Sequence, residues 1–343
     1  MTAIAGTDPR DFLKDLASSR AARLLRDALD QRWRAATDSV DRLSTIHRYA
    51  LLPPGKLIRP ILMLESAAAV GGRAEDVLPA ALGLEYLHVA TLVHDDIIDA
   101  DETRRGRPSV PLVYGLPDAL VAGDALIFTA FEAITECRAA GVSDAAIGAS
   151  VALLARAGND LCRGQVLEAQ LTGNPGIELE SYLEMIRLKT GALFRAVCQI
   201  GAVLAGADPA RCQQLARYGE QLGIAFQIRD DLLAYTTSAA AAGKSPTTDL
   251  ANARTTLPVL LAYQAGTTAQ RRRLVEALGR RSADAAALAD FRRLLDDTGA
   301  LDRAPEHVAI HLRRARHHLS TLESSPSVAV LAGITHFATS GQW

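Results

Sequence analysis

The sequence predicts an all-α fold, and three observations support this class. Apolar residues recur at helical spacing over most of the 343 residues, and the good helix formers Ala and Leu dominate the 49% hydrophobic share. No run with the alternation of a strand has a useful length. Gly and Pro interrupt the helical runs at intervals. We therefore expect one domain, residues 1–343, built as a helical bundle with its polar chemistry at the centre.

The predicted elements follow one another with clear boundaries. Residues 1–10 are expected to form a loose tail, and residues 236–248 an irregular, mobile loop. Asp118 is an expected N-cap after Pro117, and Asp208 is another, with Pro209 at the first helical position. The predicted helices span residues 11–49, 56–70, 77–102, 118–140, 144–171, 180–204 and 209–235, with further helices in 256–340.

Composition excludes several classes of function. The net charge of −2 argues against a general binder of nucleic acid or membrane surfaces. The four cysteines lie far apart without a CxxC pair, which argues against a zinc site or a disulfide framework. We find no apolar run of the ~18 residues needed to span a bilayer, and residues 1–10 lack the apolar core of a secretory signal. A cytoplasmic protein without a transmembrane segment is expected.

Two stretches place adjacent aspartates inside apolar helical runs. In residues 82–108, Asp95, Asp96 and Asp99 have Leu, Val and Ile neighbours, and in residues 222–250 Asp230 and Asp231 have similar surroundings. Carboxylates beside buried surface need a strong partner to stay ionised, because desolvation costs several kcal/mol per charge. A solvated acidic helix face therefore explains neither cluster well.

The spacing of these carboxylates suits a hard divalent cation. Asp95 and Asp99 are at i and i+4, so they lie on one side of a helix, a turn apart. Oxygen ligands favour Mg²⁺, which is usually completed by water and substrate phosphates. Nearby cations could then bind phosphate: Lys56, Arg59, Arg104, Arg105, Lys189 and Lys244. Together these residues predict a diphosphate site with Mg²⁺ as cofactor.

Six motifs, in this order, resemble those of the trans-isoprenyl diphosphate synthases, the polyprenyl synthetase family. They are GKLIRP, HVATLVHDDIIDADETRRG, GQVLE, KTGALF, FQIRDDLLAY and GKSPTTDL, and they cover roughly residues 50–260. The resemblance implies long helices around a deep central cavity, a homodimer, and a prenyltransferase that condenses isopentenyl diphosphate with an allylic prenyl diphosphate.

The resemblance also implies roles for individual residues. Asp95, Asp96, Asp99, Asp230 and Asp231 would bind Mg²⁺; Arg104, Lys189 and Lys244 would contact the allylic diphosphate. Lys56, Arg59, His88 and Arg105 would hold isopentenyl diphosphate, while Gln165, Thr190 and Gln227 match positions that line the site. One departure is Ala234, which stands where the family usually has a third aspartate of the second motif.

The helix before the first aspartates is expected to set the product length. One turn (~5.4 Å) back from Asp95 lie Thr91 and Ala90, both small, and bulky residues at those positions give fifteen-carbon products in this family. A second turn back reaches Leu87 and Tyr86, and on a later helix Phe128 and Phe131 share a face. These larger residues are the predicted floor of an open tube. We expect geranylgeranyl diphosphate, with longer chains as the alternative.

The sequence is also compatible with three other functions. A terpene cyclase of the same fold would also ionise a diphosphate with aspartates and Mg²⁺, but would not need Lys56, Arg59 and His88. A non-catalytic subunit of a heteromeric synthase should lack the first aspartate motif, which is present here. His307 and His311, at i and i+4, could bind a metal in a helical interaction protein, although the arginines around them indicate a solvated basic face.

Overall fold

The computed structural model describes residues 9–34, 41–236, 248–280 and 284–337. These residues are almost entirely helical, as the sequence predicts. The α-helices are α1 (Pro9–Ala17), α2 (Arg20–Arg34), α3 (Arg42–Leu51), α4 (Ile58–Ala69), α5 (Leu78–Ile98), α6 (Val110–Tyr114), α7 (Leu116–Glu136), α8 (Asp144–Leu171), α9 (Leu179–Ile186), α10 (Ala192–Leu204), α11 (Pro209–Thr236), α12 (Thr248–Ala251), α13 (Leu257–Ala265), α14 (Thr268–Arg280), α15 (Ala285–Asp297), α16 (Ala300–Leu319) and α17 (Pro326–Phe337).

Two compact units divide the chain. Unit 1 comprises residues 1–156, 195–219 and 316–343, and unit 2 comprises residues 157–194 and 220–315. Each unit has its own packed helices. The single domain expected from the sequence stays a prediction.

In unit 1, α5 is the core helix and α7 packs along it. Gly83 permits this close approach, because a Cβ there would lie 2.7 Å from the backbone oxygen of Ala130. Residues on several sides of α5 are buried, including Ala80, Leu84 and Ala90. A helix that is apolar all round belongs in a protein core.

The run Ala74–Ile98, which contains α5, corrects the expectation that no apolar run is long enough to span a bilayer. By length and composition it could cross a membrane. Most of its apolar part is buried inside the protein, however, as is typical of the core helix of a folded protein.

In unit 2, the helices α13, α14 and α15 pack against one another. The ring of Tyr235 on α11 lies 6.0 Å from that of Phe291 on α15, so α11 and α15 share an aromatic contact. Buried leucines of α13, among them Leu257 and Leu260, fill the interior. The segment Arg187–Gly191, between α9 and α10, forms a π-helical turn.

Several boundaries differ from the predicted ones for local reasons. The run 11–49 is divided into α1, α2 and α3. Helix α7 begins at Leu116 rather than Asp118, because Gly115 (φ 86°) is the N-cap and Pro117 occupies the first turn. The loop after α5 contains a small antiparallel hairpin, β1 (Thr103–Arg104) with β2 (Arg107–Pro108). Asp208 caps α11 as predicted, accepting a 2.9 Å hydrogen bond from the backbone N–H of Arg211. The predicted loop 236–248 lies almost wholly outside the described residues.

Candidate active site

The last turn of α5 carries the first aspartate cluster in unit 1. Asp95 and Asp99 are half-buried and share one side of the helix, with Asp99 at its C-cap. Asp96 is different, since it is only 2% exposed. The three aspartates of one motif therefore lie in two environments, with two carboxylates accessible and one enclosed.

Arg104 is the partner of the enclosed carboxylate. Its Nε donates a 2.7 Å hydrogen bond to Asp96 Oδ1, and its Nη2 donates to Asp96 Oδ1 and, at 3.0 Å, to Asp101. The hairpin turn at Arg105 (φ 54°) and Gly106 (φ 75°) folds the chain after β1. Asp96, together with Asp101, thus fixes the guanidinium of Arg104.

A cationic cluster lies at the start of α4. Arg59 Nη1 lies 3.2 Å from His88 Nε2 on α5. Burial, together with the charges of Arg59, Arg105 and Arg104, holds the pKa of His88 well below its usual value. A neutral His88 can accept a hydrogen bond from Arg59 at Nε2, which places the ring proton on Nδ1.

Arg105 belongs to the same cluster. Its guanidinium lies over Gly55, so that a Cβ at Gly55 would be 2.8 Å from Arg105 Nη2. Lys56 is exposed in the loop before α4. The four residues that the sequence assigned to isopentenyl diphosphate therefore all belong to unit 1, and the structure brings Arg59 and His88 into contact.

Unit 2 holds Lys189 in the π-helical turn. Its Nζ donates to Glu168 Oε2 at 2.5 Å, and Gln165 lies beside the same carboxylate at 3.4 Å. Gly164 on α8 makes this approach possible, because a Cβ there would lie 2.3 Å from the backbone nitrogen of Lys189. Single π turns inside helices are common at functional sites.

A buried hydrogen-bond network surrounds the second aspartate pair. Asp231 accepts from Tyr182 Oη at 2.7 Å and from Gln227 Nε2 at 2.9 Å. Gln227 in turn accepts from the hydroxyl of Thr190 at 2.7 Å. Burial and the nearby charge of Asp249 raise the pKa of Asp231 to about 7, against the lowering effect of its two donors. The adjacent Asp230, in contrast, is exposed.

The carboxylates of the site fit a magnesium ion whose coordination is completed by the substrate. Within the described ranges, no group of three His, Cys, Asp or Glu side chains could hold a metal by itself. Mg²⁺ is usually bound by one or two carboxylates and completed by substrate phosphates and water. Asp95 and Asp99 supply such a pair. Asp96 and Asp231, whose roles as ligands stay predictions, accept hydrogen bonds from protein donors.

The predicted length-determining residues divide into an interior group and an outer one. Ala90 is fully buried, as is Tyr86, and Leu87 is 5% exposed. Thr91 is half-buried and donates its hydroxyl to the carbonyl of His88. Phe128 is 74% exposed, which corrects its assignment to the floor of an interior tube. The sequence pattern did not reveal which side of α7 is buried, because both sides are apolar. Phe131, one turn after Phe128, is half-buried.

Four residues near the site were missed in the sequence. Glu85 and Glu168 are carboxylates that face site cations, Tyr182 holds Asp231, and Asp101 shares Arg104 with Asp96. The sequence did contain an indication of Glu85, because a single acidic residue is unusual in an apolar run and this one lies three positions before His88. Lys244 lies outside the described residues. His311, weighed as a metal ligand, is buried and paired with Gln221 at 2.8 Å.

Comparison with known proteins agrees with these features. A short chain isoprenyl diphosphate synthase of Methanothermobacter thermautotrophicus is 34% identical over 310 residues, covering 90% of this chain and 94% of its own. A geranylgeranyl diphosphate synthase of Methanosarcina mazei is 31% identical, covering 88% and 91%.

Solved structures give the same result. The crystal structure of a polyprenyl synthase from Caulobacter crescentus, complexed with calcium and isoprenyl diphosphate, has a TM-score of 0.86 at 29% identity and covers 96% of this chain and 97% of its own. The polyprenyl synthetase family pattern matches residues 40–295. The chain belongs to the polyprenyl synthetase family, and it is a trans-prenyltransferase.

Proposed function

We propose that this prenyltransferase condenses isopentenyl diphosphate with an allylic prenyl diphosphate and stops at all-trans geranylgeranyl diphosphate. One observation carries the proposal. Unit 1 contains two chemically different groups of side chains that could each serve one diphosphate: the half-buried carboxylates Asp95 and Asp99, and a cationic cluster formed by Lys56, Arg59, Arg105 and the neutral His88. An enzyme that joins two diphosphates needs both kinds of site.

The carboxylate site is proposed for the allylic substrate. Asp95 and Asp99 would hold Mg²⁺, which when bound neutralises diphosphate charge as a Lewis acid. Asp96 has a positioning role, because it fixes the guanidinium of Arg104 for a phosphate oxygen. In unit 2, the exposed Asp230 is the proposed metal ligand, Lys189 a phosphate ligand, and Asp231 the acceptor that orders Gln227 and Thr190. The calcium bound by the Caulobacter crescentus relative supports an oxygen-ligand site for a hard divalent cation.

The chemistry requires charge stabilisers rather than a protein nucleophile. The bond between C1 and the bridging oxygen of the allylic substrate breaks, and its electron pair leaves with pyrophosphate. The double bond of isopentenyl diphosphate then attacks the allylic cation, and a proton is lost to the departing pyrophosphate. Fixed cations such as Arg104 stabilise the charge that develops on the leaving group, because they are in place before reaction.

Product length follows from the helix that carries the aspartates. Ala90, which is buried, has a small side chain that should not block a growing chain, whereas Tyr86 and Leu87 are larger and lie a turn further from Asp95. The relative from Methanosarcina mazei is named a geranylgeranyl diphosphate synthase, which supports the twenty-carbon product. A longer-chain product is the alternative.

The competing reaction is cyclisation of one allylic diphosphate. The Arg59–His88 pair argues against it, because a cyclase binds no second diphosphate. The test is incubation of the purified protein with Mg²⁺ and dimethylallyl, geranyl or farnesyl diphosphate, each with and without isopentenyl diphosphate. Chromatography of the dephosphorylated products should give longer linear alcohols only when isopentenyl diphosphate is present. Ring hydrocarbons formed without it would establish a cyclase.

We also propose that the protein works as a cytoplasmic homodimer. Large apolar side chains are exposed along one side of α6 and α7: Leu112, Val113, Leu116, Leu120, Val121 and Phe128, each between 46% and 74% exposed. A contiguous apolar surface of this kind marks an interaction site. A second copy is the proposed occupant, in keeping with the dimer implied by the family resemblance.

A further inference from the structure

Glu85 is a buried carboxylate that the chemistry described above does not use. It lies on α5, three residues before His88, and is only 3% exposed. Glutamate is almost never fully buried unless it is paired. Its surroundings therefore need a physical explanation.

The partner of Glu85 is Arg105. Glu85 Oε1 lies 3.8 Å from Arg105 Nη2, which is within ion-pair range but too long for a direct hydrogen bond. The side chain of Arg105 remains 28% exposed. The carboxylate therefore lies beside the guanidinium of a side chain that is still partly exposed to a ligand.

Few charges act on this carboxylate. Arg105 reaches it from the hairpin after β1, Arg59 reaches it from α4, and His88 on its own helix is held neutral. Burial raises the pKa of Glu85 to about 7, with Arg105 and Arg59 opposing that rise. The carboxyl group can therefore change its protonation near neutral pH.

We propose that Glu85 positions the guanidinium of Arg105 for isopentenyl diphosphate and takes up a proton when that diphosphate binds. The inference rests on the proposed function, because it takes the cluster of Lys56, Arg59, His88 and Arg105 as the isopentenyl site. The proton comes from solvent and goes to the Glu85 carboxylate; no other bond changes.

The direction of the proton movement follows from charge. A bound diphosphate brings negative charge to the guanidiniums of Arg105 and Arg59, which are the cations that favour ionised Glu85. A like charge nearby disfavours the ionised carboxylate. Proton uptake removes this repulsion, and the neutral acid still presents its carbonyl oxygen, an acceptor, towards Arg105.

The experiment is calorimetric titration with isopentenyl diphosphate alone, which gives no turnover without an allylic partner. Measurements in two buffers of different ionisation enthalpy give the number of protons taken up. The variants are Glu85→Gln and, as control, Glu65→Gln. Glu65 is a half-buried carboxyl group on α4 whose pKa is also raised by burial, and it hydrogen-bonds to Ser327. Protons exchanged by the ligand itself are common to all three proteins and cancel in the difference.

At about pH 7, where half of Glu85 is ionised, the wild type and Glu65→Gln should each take up about half a proton more than Glu85→Gln. Near pH 5.5 this difference should shrink sharply, because Glu85 is already largely protonated before binding. Equal uptake by wild type and Glu85→Gln at both pH values would overturn the inference, as would an equal loss in Glu65→Gln.

Positioning has a separate readout. Glu85→Leu removes the acceptor and should raise KM for isopentenyl diphosphate roughly tenfold, as expected for loss of a charged partner, with a much smaller change in KM for the allylic substrate. Glu85→Gln keeps an oxygen acceptor and should restore most of that loss. Equal effects on both substrates would contradict a positioning role. A wild type that neither binds nor condenses isopentenyl diphosphate would instead refute the proposed function.

Discussion

The hydroxyl of Tyr182 donates a 2.7 Å hydrogen bond to Oδ2 of Asp231, and both side chains are buried. Through this bond and that of Gln227, the second carboxylate of the FQIRDD motif accepts two hydrogen bonds from protein donors. The exposed Asp230 is left as the accessible member of the pair.

Tyr182→Phe should lower kcat/KM for the allylic substrate by up to about tenfold, because Asp231 loses one of its two donors and a hydrogen bond of this kind contributes about 0.5–1.5 kcal/mol. The control is Tyr218→Phe, which loses an equally buried hydroxyl whose acceptor is the carbonyl of Leu331. That variant should lose stability but keep its kinetic constants. Equal kinetic losses in both variants would mean that Tyr182 has only a structural role.

Asp95→Ala should reduce turnover by ~10²–10³, the range typical of losing one charge-stabilising group, with helicity unchanged. Steady-state kinetics across a range of Mg²⁺ concentrations measures this effect. Asp144→Ala, at an exposed position of α8 (77% exposed), is the matched control. Near wild-type turnover in Asp95→Ala would refute the assignment of this carboxylate.

Asp96→Ala should behave differently from Asp95→Ala, because it leaves Arg104 without its buried partner. Removing one member of a buried ion pair costs about 3–5 kcal/mol. Urea unfolding should therefore show a large loss of stability for Asp96→Ala and a small one for Asp95→Ala. Similar losses in the two variants would contradict the two environments described here.

Ala90→Phe should shorten the product, since a phenyl ring would fill space beside a packed wall that yields only at a cost of about 1–3 kcal/mol. Phe128→Ala serves as control and should leave the length distribution unchanged, because Phe128 is exposed. The readout is chromatography of the dephosphorylated alcohols. An unchanged distribution in Ala90→Phe would show that this wall does not limit the chain.

The contribution of Glu85 to the stability of the protein should decrease as the pH rises from about 5 to about 8. Because the pKa of Glu85 in the folded protein is about 7, against a reference value of 4.5, the folded state binds its proton more tightly than the unfolded state. The associated stability is present below the unfolded pKa and lost as the pH rises through 7. In Glu85→Gln, the free energy of unfolding measured with urea should fall less with pH than in the wild type. An equal fall in the two proteins would contradict the raised pKa.

Leu120→Lys should convert the proposed dimer to a monomer, because it places a charge among the apolar side chains of α7. Light scattering after size-exclusion chromatography measures the mass. Ser143→Lys, before the exposed start of α8, is a surface control that should remain dimeric. A wild-type protein that is monomeric at its working concentration would contradict the proposed dimer.

The sequence predicted the fold class and the helix of Asp95 because a long apolar run at helical spacing permits little else. It did not predict the pairing of Asp96 with Arg104, since that contact depends on the hairpin turn at Arg105 and Gly106. Nor could it predict that Asp230 is exposed and Asp231 buried, because the burial of adjacent residues depends on how their helix packs against others. The same limit explains Phe128, whose helix is apolar on both sides.

Incubation of labelled isopentenyl diphosphate with unlabelled farnesyl diphosphate and Mg²⁺ tests the proposed condensation directly. We expect one labelled product, which yields linear geranylgeraniol after dephosphorylation, and no labelled product when Mg²⁺ is chelated. Absence of label from every prenyl product, or label only in chains far longer than twenty carbons, would contradict it.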